Sequence, residues 1–215
     1  MIHPQESPNQ ATARRERERE QRRAEILSAA ERIFAAKGFH ESSVESIAEA
    51  AGFASGTIYL YFQDKEALYM AVFIAKLTQL IDYVETRSRS VSQPVEALRC
   101  AIGAQLEFHD QHRAFFQIFS RERPPVSSGK GEEWKQVHDC FGRHTGLLRS
   151  LIEAAQKRKL LRKGDSHRMA LMLLGMLIHV TRDLIERSGP EPMAEQAEFV
   201  ADFFLHGAAV ERRAA

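Results

Sequence analysis

Two short amphipathic segments meet at Gly52, and this junction constrains the fold more than any other feature of the sequence. Before it, apolar residues recur at the i, i+3, i+4 and i+7 spacing of one helix face, at Val44, Ile47, Ala48 and Ala51. After it, Ile58, Tyr61 and Phe62 repeat the helical spacing. Ser42 and Ser43 provide N-caps before the first segment. The sequence therefore predicts two helices joined by Gly52-Phe53-Ala54, a helix-turn-helix.

The outward face of the second short helix has an unusual composition. Ser55, Gly56, Thr57 and Tyr59 lie where a helix that needed only solubility would carry Glu and Lys. Hydroxyl groups and a glycine that permits close backbone approach suit contact with phosphates and base edges. The alternative is that the tyrosines only pack a small helical subdomain.

The remainder of the chain also shows helical spacing, with no alternating runs and no Asn-Gly hairpin turns. Asp64 and Asp165 are predicted N-caps, and residues 123–131 are a loop by composition. We expect an all-α fold of about nine helices, in which the first short helix follows one at residues 21–37. The others are predicted at residues 65–88, 92–110, 113–121, 132–160, 166–188 and 193–210.

Charge is distributed unevenly along a chain whose net charge is only +1 over 215 residues. Residues 14–23 hold six arginines and three glutamates, whereas residues 24–65 hold three cations and six acids. We predict a disordered arm at residues 1–20 with an Arg-rich end. The charge run at residues 14–23 is by default the solvated start of a helix, and beside a DNA-binding element it could instead reach a groove or phosphates. A helix-turn-helix domain at residues 21–66 and a helical domain at residues 67–215 follow.

The last two helices are more apolar than one small core requires. The helix at residues 166–188 is apolar nearly all round its middle, and the last helix is rich in phenylalanine. A dimer in which this pair forms a four-helix bundle with its mate explains the pattern. The alternative is burial within a single subunit. The predicted interface residues are Leu174, Ile178, Thr181, Phe199, Phe203 and Phe204.

Catalytic and metal-binding patterns are not evident. The nine histidines do not form a His-Glu-x-x-His motif, and Cys100 and Cys140 do not have zinc-ligand spacing. We predict no enzyme activity, no metal and no cofactor. The N-terminus lacks a signal-peptide pattern, and the apolar run from Met169 to Thr181 is too short to span a bilayer. A cytoplasmic protein without a membrane partner is expected.

Residues 24–68 resemble the TetR family of bacterial transcriptional regulators. The resemblance is carried by Gly38-Phe39, Ser42-Ser43-Val44, Ala51-Gly52, Gly56-Thr57-Ile58-Tyr59 and Lys65-Glu66-Ala67-Leu68. It implies a homodimeric repressor on a palindromic double-stranded DNA operator, associated with the nucleoid and released by a small ligand. The implied DNA-binding residues are Ser42, Ser43, Ser55, Gly56, Thr57, Tyr59, Tyr61 and Lys65. This chain has Ala54-Ser55 where family members often have Ser-Lys, so Ser55 is an alternative helix cap.

An apolar cavity in the C-terminal domain would take the ligand, and its aromatic and methionine residues favour a hydrophobic or aromatic molecule. The candidates are Phe108, Phe115, Phe116, Phe119, Trp134, His138, Phe141, Met172, Met176 and His179. At helical spacing, the same residues can equally be plain core. A second hypothesis is a DNA-bound scaffold that recruits a protein partner and has no ligand. An open pocket beside the helix at residues 65–88 would favour the first hypothesis, and a filled core the second.

Overall fold

The computed structural model describes residues 8–121, 132–187 and 192–208, and this part of the chain is helical without a β-strand. The all-α prediction is confirmed. The described helices are α1 (Pro8–Lys37), α2 (Val44–Ala51), α3 (Ser55–Tyr59), α4 (Lys65–Arg89), α5 (Pro94–Gln111), α6 (Arg113–Arg121), α7 (Glu132–Lys157), α8 (Ser166–Glu186) and α9 (Ala197–Ala208), with a 3-10 turn at Met193–Gln196 before α9. The loop predicted at residues 123–131 lies outside the described residues.

The helices form two compact units, one ending at Val72 and the other beginning at Phe73. Helix α4 contributes residues to both units. Asp64 caps it, because its carboxylate accepts a hydrogen bond of 2.7 Å from the Ala67 N–H. The sequence placed the boundary between the two domains a few residues earlier, at residue 66.

Helix α1 begins far earlier than predicted. The sequence predicts a disordered arm up to residue 20, whereas the structure is helical from Pro8. Residues 9–24 contain many alanines, arginines, glutamates and glutamines, all good helix formers, and proline is tolerated at a first helical position. Arg14 and Glu18 add an i, i+4 ion pair of 3.4 Å. The Arg-rich segment is therefore a continuation of the first core helix.

The core of the first unit is small and aromatic. Its fully buried members include Phe34, Ile47, Ile58 and Tyr69. The Tyr69 ring, on α4, meets the Phe34 ring edge to face with centroids 4.9 Å apart. This packing fixes the start of α4 on α1.

The core of the second unit lies between α5, α7 and α8. Leu98, Leu106, Leu148, Ile152 and Leu173 are fully buried there. Asp165 caps α8 as predicted, with hydrogen bonds of 3.0 and 3.1 Å from two backbone N–H groups of its first turn.

Helix α7 ends three residues earlier than predicted. Lys159 adopts a left-handed conformation with φ 59°. The Leu160 N–H donates to the Ala155 carbonyl and the Lys159 N–H donates to the Gln156 carbonyl, at 3.0 Å each. This Schellman pattern ends the helix without a glycine, so composition could not reveal it.

Helix α9 packs on α5 through one side and leaves its other side apolar and exposed. Arg99 of α5 forms ion pairs of 2.8 Å with Glu198 and 2.7 Å with Asp202. Phe199 and Phe203 are each 66% exposed, with ring centroids 6.3 Å apart. On α8, Leu171, Met172 and Ile178 are also exposed. We call Leu171, Met172, Ile178, Phe199 and Phe203 the apolar face.

Helix α4 is long and apolar enough to cross a membrane by length and composition. However, 44% of its most apolar 18-residue stretch is buried inside the protein. Leu68, Val72, Ile81 and Val84 on this helix are core residues. Core helices pass the same test of length and composition, so one such helix is weak evidence for a membrane span.

Candidate functional site

The turn between α2 and α3 is fixed by backbone hydrogen bonds and by a cap. Ser43 is the N-cap of α2, and it exchanges hydrogen bonds with Ser46 in a capping box. Gly52 adopts φ 75°, a left-handed conformation that favours glycine. The Phe53 N–H then donates to the Ala48 carbonyl at 2.9 Å. These contacts set the direction in which α3 leaves the turn.

Helix α3 presents the residues that the sequence singled out. Its N-cap is Ala54, which supplies no side-chain hydrogen bond, so Ser55 is the first helical residue and not the cap. Ile58 is buried, whereas Tyr59 is 52% exposed. Gly56 is exposed, and Ser55 and Thr57 are partly exposed. The hydroxyl-rich face of α3 is thus open to a partner.

Gly56 is not required by the fold. Its backbone lacks the positive φ that favours glycine, and a Cβ added there would meet no atom within 4 Å. Glycine inside a helix costs about 0.5–1 kcal/mol relative to alanine. A glycine that the fold does not need is consistent with close approach by an external molecule.

Two of the predicted DNA-binding side chains are held inside the first unit. Ser42 is 4% exposed, and its hydroxyl donates to the Phe39 carbonyl at 2.8 Å. The Lys65 ammonium donates to the carbonyls of Phe39 and Ser42, at 2.8 and 2.9 Å. It also lies 4.3 Å from the centroid of the Phe39 ring. Both side chains therefore stabilise the turn after α1, which their types in the sequence did not reveal.

Two arginines of α1 lie against the aromatic rings that follow α3. The Arg19 guanidinium lies 6.0 Å from the centre of the Tyr61 ring, and that of Arg23 lies 5.4 Å from the centre of the Phe62 ring. Glu16, Arg19, Glu20 and Arg23 line a shallow depression together with Tyr61. Helix α1 thus places two arginines and two glutamates near α3, which carries no charged residue of its own.

The second unit contains an apolar cavity of about 320 Å³ between α4, α5, α6, α7 and α8. It is not fully enclosed. Its apolar lining residues are Phe73, Leu77, Leu80, Phe116, Phe119, Phe141, Leu174, Ile178 and Ile185. Its other lining residues are Gln105, His109, Ser120, His144, Thr181 and Arg182. Helix α4 forms one wall, and the Phe73 and Phe119 rings stack with centroids 4.8 Å apart.

The cavity includes only part of the set predicted from sequence. Phe116, Phe119 and Phe141 line it. The remaining candidates, which are not among its lining residues, are Phe108, Phe115, Trp134, His138, Met172, Met176 and His179. Phe108 and Phe115 are buried in the core, and Met172 is 65% exposed. The His138 Nδ1–H donates a hydrogen bond to the Trp134 carbonyl. Three of the ten candidates therefore line the cavity, and the other seven lie elsewhere on helices that form its walls.

The polar lining residues were missed as a group, although one signal was available. Gln105 and His109 follow Leu98 and Ile102 on the buried face of α5, where apolar residues are expected. The His109 Nδ1–H donates to the Gln105 carbonyl at 2.7 Å. Burial lowers the pKa of His109 to about 4 and that of His144 to about 4, so both rings are neutral at pH 7.

The predicted dimer residues divide between surface and interior. Ile178, Phe199 and Phe203 lie on the apolar face, whereas Leu174, Thr181 and Phe204 are at most 7% exposed within the subunit. Leu174 and Thr181 line the cavity instead. Helical spacing places all six residues on related faces, but it does not show which part of a face its own subunit covers.

Metal-ligand clusters are absent from the described residues: no three His, Cys, Asp or Glu side chains meet there as a potential metal site. Cys100 and Cys140 do not form a disulfide, and both are partly buried.

Two family models match the chain. The model of bacterial regulatory proteins of the tetR family matches residues 26–72. The model of the tetracyclin repressor-like C-terminal domain matches residues 91–208. The two matches fall on the two compact units.

Similar proteins carry regulator names. The fatty acid metabolism regulator protein of Bacillus subtilis is 38% identical over 78 residues, which are 36% of this chain and 40% of that protein. The transcriptional activator FasR of Mycolicibacterium smegmatis is 31% identical over 114 residues, 51% of this chain and 52% of that protein. The chain thus spans about half or less of the length of these two relatives.

Solved structures share the fold over most of the chain. The regulator FadR of Bacillus subtilis, solved in complex with stearoyl-CoA, aligns with a TM-score of 0.72. The alignment covers 86% of this chain and 98% of that chain, at 22% identity. At that identity, the similarity establishes the fold alone.

Proposed function

The chain belongs to the TetR family of bacterial regulatory proteins, and from this premise we propose that it is a homodimeric repressor of a palindromic operator. A small hydrophobic or aromatic ligand, bound in the cavity of the second unit, releases it from DNA. The observation that carries this proposal is the apolar cavity, one wall of which is the same helix that begins in the DNA-binding unit.

The DNA-binding surface is supported by the exposed face of α3. Tyr59, Thr57 and the backbone at Gly56 are the groups through which α3 would read the major groove. Ser43 and the free N–H groups at the start of α2 would contact phosphate, as helix N-termini commonly do. Cations from the extension of α1 would hold the adjacent backbone, since Lys65 is already engaged inside the protein.

The cavity in the second unit favours a repressor released by a ligand over a DNA-bound scaffold that has no ligand. A ligand-independent scaffold needs only a filled core, whereas this unit keeps an apolar cavity against α4. Arg143 of α7 donates to Asp82 and Glu85 of α4, at 2.6 Å each, and so links α4 to another wall of the cavity. A ligand that favours a different position of α4 would change the spacing of the two DNA-binding units and lower operator affinity.

Dimerisation is supported by the apolar face on α8 and α9. Two copies of this face would form a four-helix bundle related by a two-fold axis. Such a dimer would present two α3 helices to successive major grooves, about 34–36 Å apart. The protein would then act in the bacterial cytoplasm, associated with the nucleoid while bound to DNA, without a membrane partner.

The test is operator binding in the presence of candidate ligands. A footprint on DNA upstream of the chain's own gene would identify the operator, and fluorescence anisotropy would give the dissociation constant. Alkylphenols, fatty acids and palmitoyl-CoA would then be added; the last is included because a solved neighbour binds stearoyl-CoA. We expect at least one hydrophobic compound to raise both the thermal midpoint and the operator dissociation constant. If no compound in a broad hydrophobic panel does either, the scaffold alternative gains support.

A further inference from the structure

Three helices each place a buried polar atom without a hydrogen-bond partner in the wall of the cavity. The atoms are Gln105 Oε1 of α5, His144 Nε2 of α7 and Thr181 Oγ1 of α8. Their residues are only 2%, 4% and 5% exposed. Buried polar groups in proteins are nearly always hydrogen-bonded, because an unpaired group loses its contacts with water and gains none. The three residues that carry these atoms line one cavity, and a ligand in that cavity that reaches them would complete their bonding.

The types of these atoms restrict the ligand group that can pair with them. The Gln105 Oε1 atom only accepts hydrogen bonds, so it needs a donor. The Thr181 hydroxyl both donates and accepts, and a neutral imidazole has one donor and one acceptor nitrogen. His109, whose Nδ1–H is used on the Gln105 carbonyl, presents a lone pair at Nε2. A ligand hydroxyl donates and accepts and therefore matches such a set. A carbonyl or ether oxygen would leave Gln105 unpaired.

The residues that line the cavity do not compensate a negative charge in its interior. His109 and His144 are neutral, since burial lowers the pKa of each ring to about 4. Among the described lining residues, the permanent cation is Arg182, whose side chain is 53% exposed and pairs with Glu186 at 2.7 Å. A carboxylate inside would be desolvated and would face the Gln105 oxygen, which is unfavourable. A carboxylate beside Arg182 would leave the interior polar atoms unpaired.

We infer that the cavity takes an uncharged molecule with an aromatic or apolar body and a free hydroxyl group, that is, a hydrophobic phenol or alcohol. Phe73, Phe116, Phe119 and Phe141 surround the body, and the unpaired atoms on α5, α7 and α8 receive the hydroxyl. This inference rests on the proposed function only in assigning the cavity a ligand, and it names the chemical class of that ligand.

The experiment uses three probes that share one skeleton: para-hexylphenol, para-hexylbenzoate and hexylbenzene. Near neutral pH, the phenol is uncharged and the benzoate is ionised. Calorimetry on the full-length protein is expected to show that the phenol binds about tenfold or more tightly than either of the other two, since only it pairs the buried atoms. Operator DNA is then titrated with each probe.

The variants Thr181→Val and Thr145→Val separate the role of the hydroxyl from general effects on folding. Val replaces Thr at nearly the same volume. Thr145 is also buried on a cavity helix, but it does not line the cavity, and its hydroxyl donates to the Phe141 carbonyl at 2.8 Å. We expect Thr181→Val to weaken phenol binding about tenfold and to leave hexylbenzene binding unchanged. Thr145→Val should leave the preference for the phenol intact.

Each outcome decides between the ligand class and the repressor function. The inference is overturned if the benzoate or hexylbenzene binds as tightly as the phenol, or if none of the three binds. It is also overturned if both variants weaken phenol binding equally. A benzoate that binds tightly and releases operator DNA would refute the ligand class while supporting the repressor. A phenol that binds tightly, with the expected variant effects, but leaves operator binding unchanged would refute the repressor mechanism and not the ligand class.

Discussion

Replacing Gly56 by alanine should stabilise the protein while weakening its binding to DNA. A Cβ at this position meets no atom within 4 Å, and the backbone has no positive φ, so the fold accepts alanine without strain. The gain in helix propensity, about 0.5–1 kcal/mol, corresponds to a rise of about 2 °C in thermal midpoint for a chain of this length. On DNA, the added methyl group would separate α3 from the groove, and we expect operator affinity to fall about tenfold or more, which is about 1.4 kcal/mol.

The assay combines differential scanning calorimetry with fluorescence anisotropy on operator DNA. Gly146→Ala is the matched control, because Gly146 is also an exposed helical glycine with nothing within 4 Å of an added Cβ, but it lies in α7. It should raise the thermal midpoint similarly and leave operator affinity unchanged. If Gly56→Ala lowers the midpoint, the claim that the fold does not need glycine is wrong. If it raises the midpoint and DNA binding stays the same, α3 does not approach the groove through Gly56.

Three further predictions concern other parts of the molecule. Deletion of residues 1–20, followed by anisotropy at several salt concentrations, should weaken operator binding and flatten its salt slope, because it removes arginines beside α3; an unchanged slope would contradict a role for the extension in DNA binding. Phe203→Asp should convert the proposed dimer to a monomer in analytical ultracentrifugation, since it places a charge in the apolar face; a variant that remains dimeric would locate the interface elsewhere. The free energy of unfolding should fall as pH drops from about 6.5 to about 4, by on the order of 3 kcal/mol for each of His109 and His144. Their pKa values are lower in the folded protein than in the unfolded chain, which therefore binds more protons in this range, and denaturant titration with His144→Phe should show a smaller fall.

The local features of the fold were largely predictable from sequence. The caps at Ser43, Asp64 and Asp165 and the left-handed turn at Gly52 lie where the residue types placed them. These features involve neighbouring residues, so their hydrogen bonds form from local chain geometry alone. The extension of α1 was missed because a mixed Arg/Glu segment satisfies the compositional signs of both a charged arm and a long helix.

The candidate sites were predictable only in part, because both depend on contacts between distant segments. Lys65 has the sequence position of a phosphate ligand, but two backbone carbonyls, one of them 26 residues away, already hold its ammonium. Thr181 was expected at a dimer interface and lies in the cavity wall. Helical periodicity defines which residues share a face; it does not define whether the neighbouring helix, a ligand or a second subunit covers that face.

The sequence by itself determined the all-α fold and the helix-turn-helix at Gly52, because periodicity, caps and turn residues are local properties. The resemblance carried by residues 24–68 indicated the regulator family. Only the tertiary structure decided which arginines lie near α3 and which buried polar atoms lack hydrogen-bond partners. It also showed that the side chains of Ser42 and Lys65 are engaged inside the first unit. Each of these depends on the packing of side chains that are far apart in sequence. The unpaired atoms of Gln105, His144 and Thr181 are the clearest case, since their residues line one cavity only when α5, α7 and α8 pack around it.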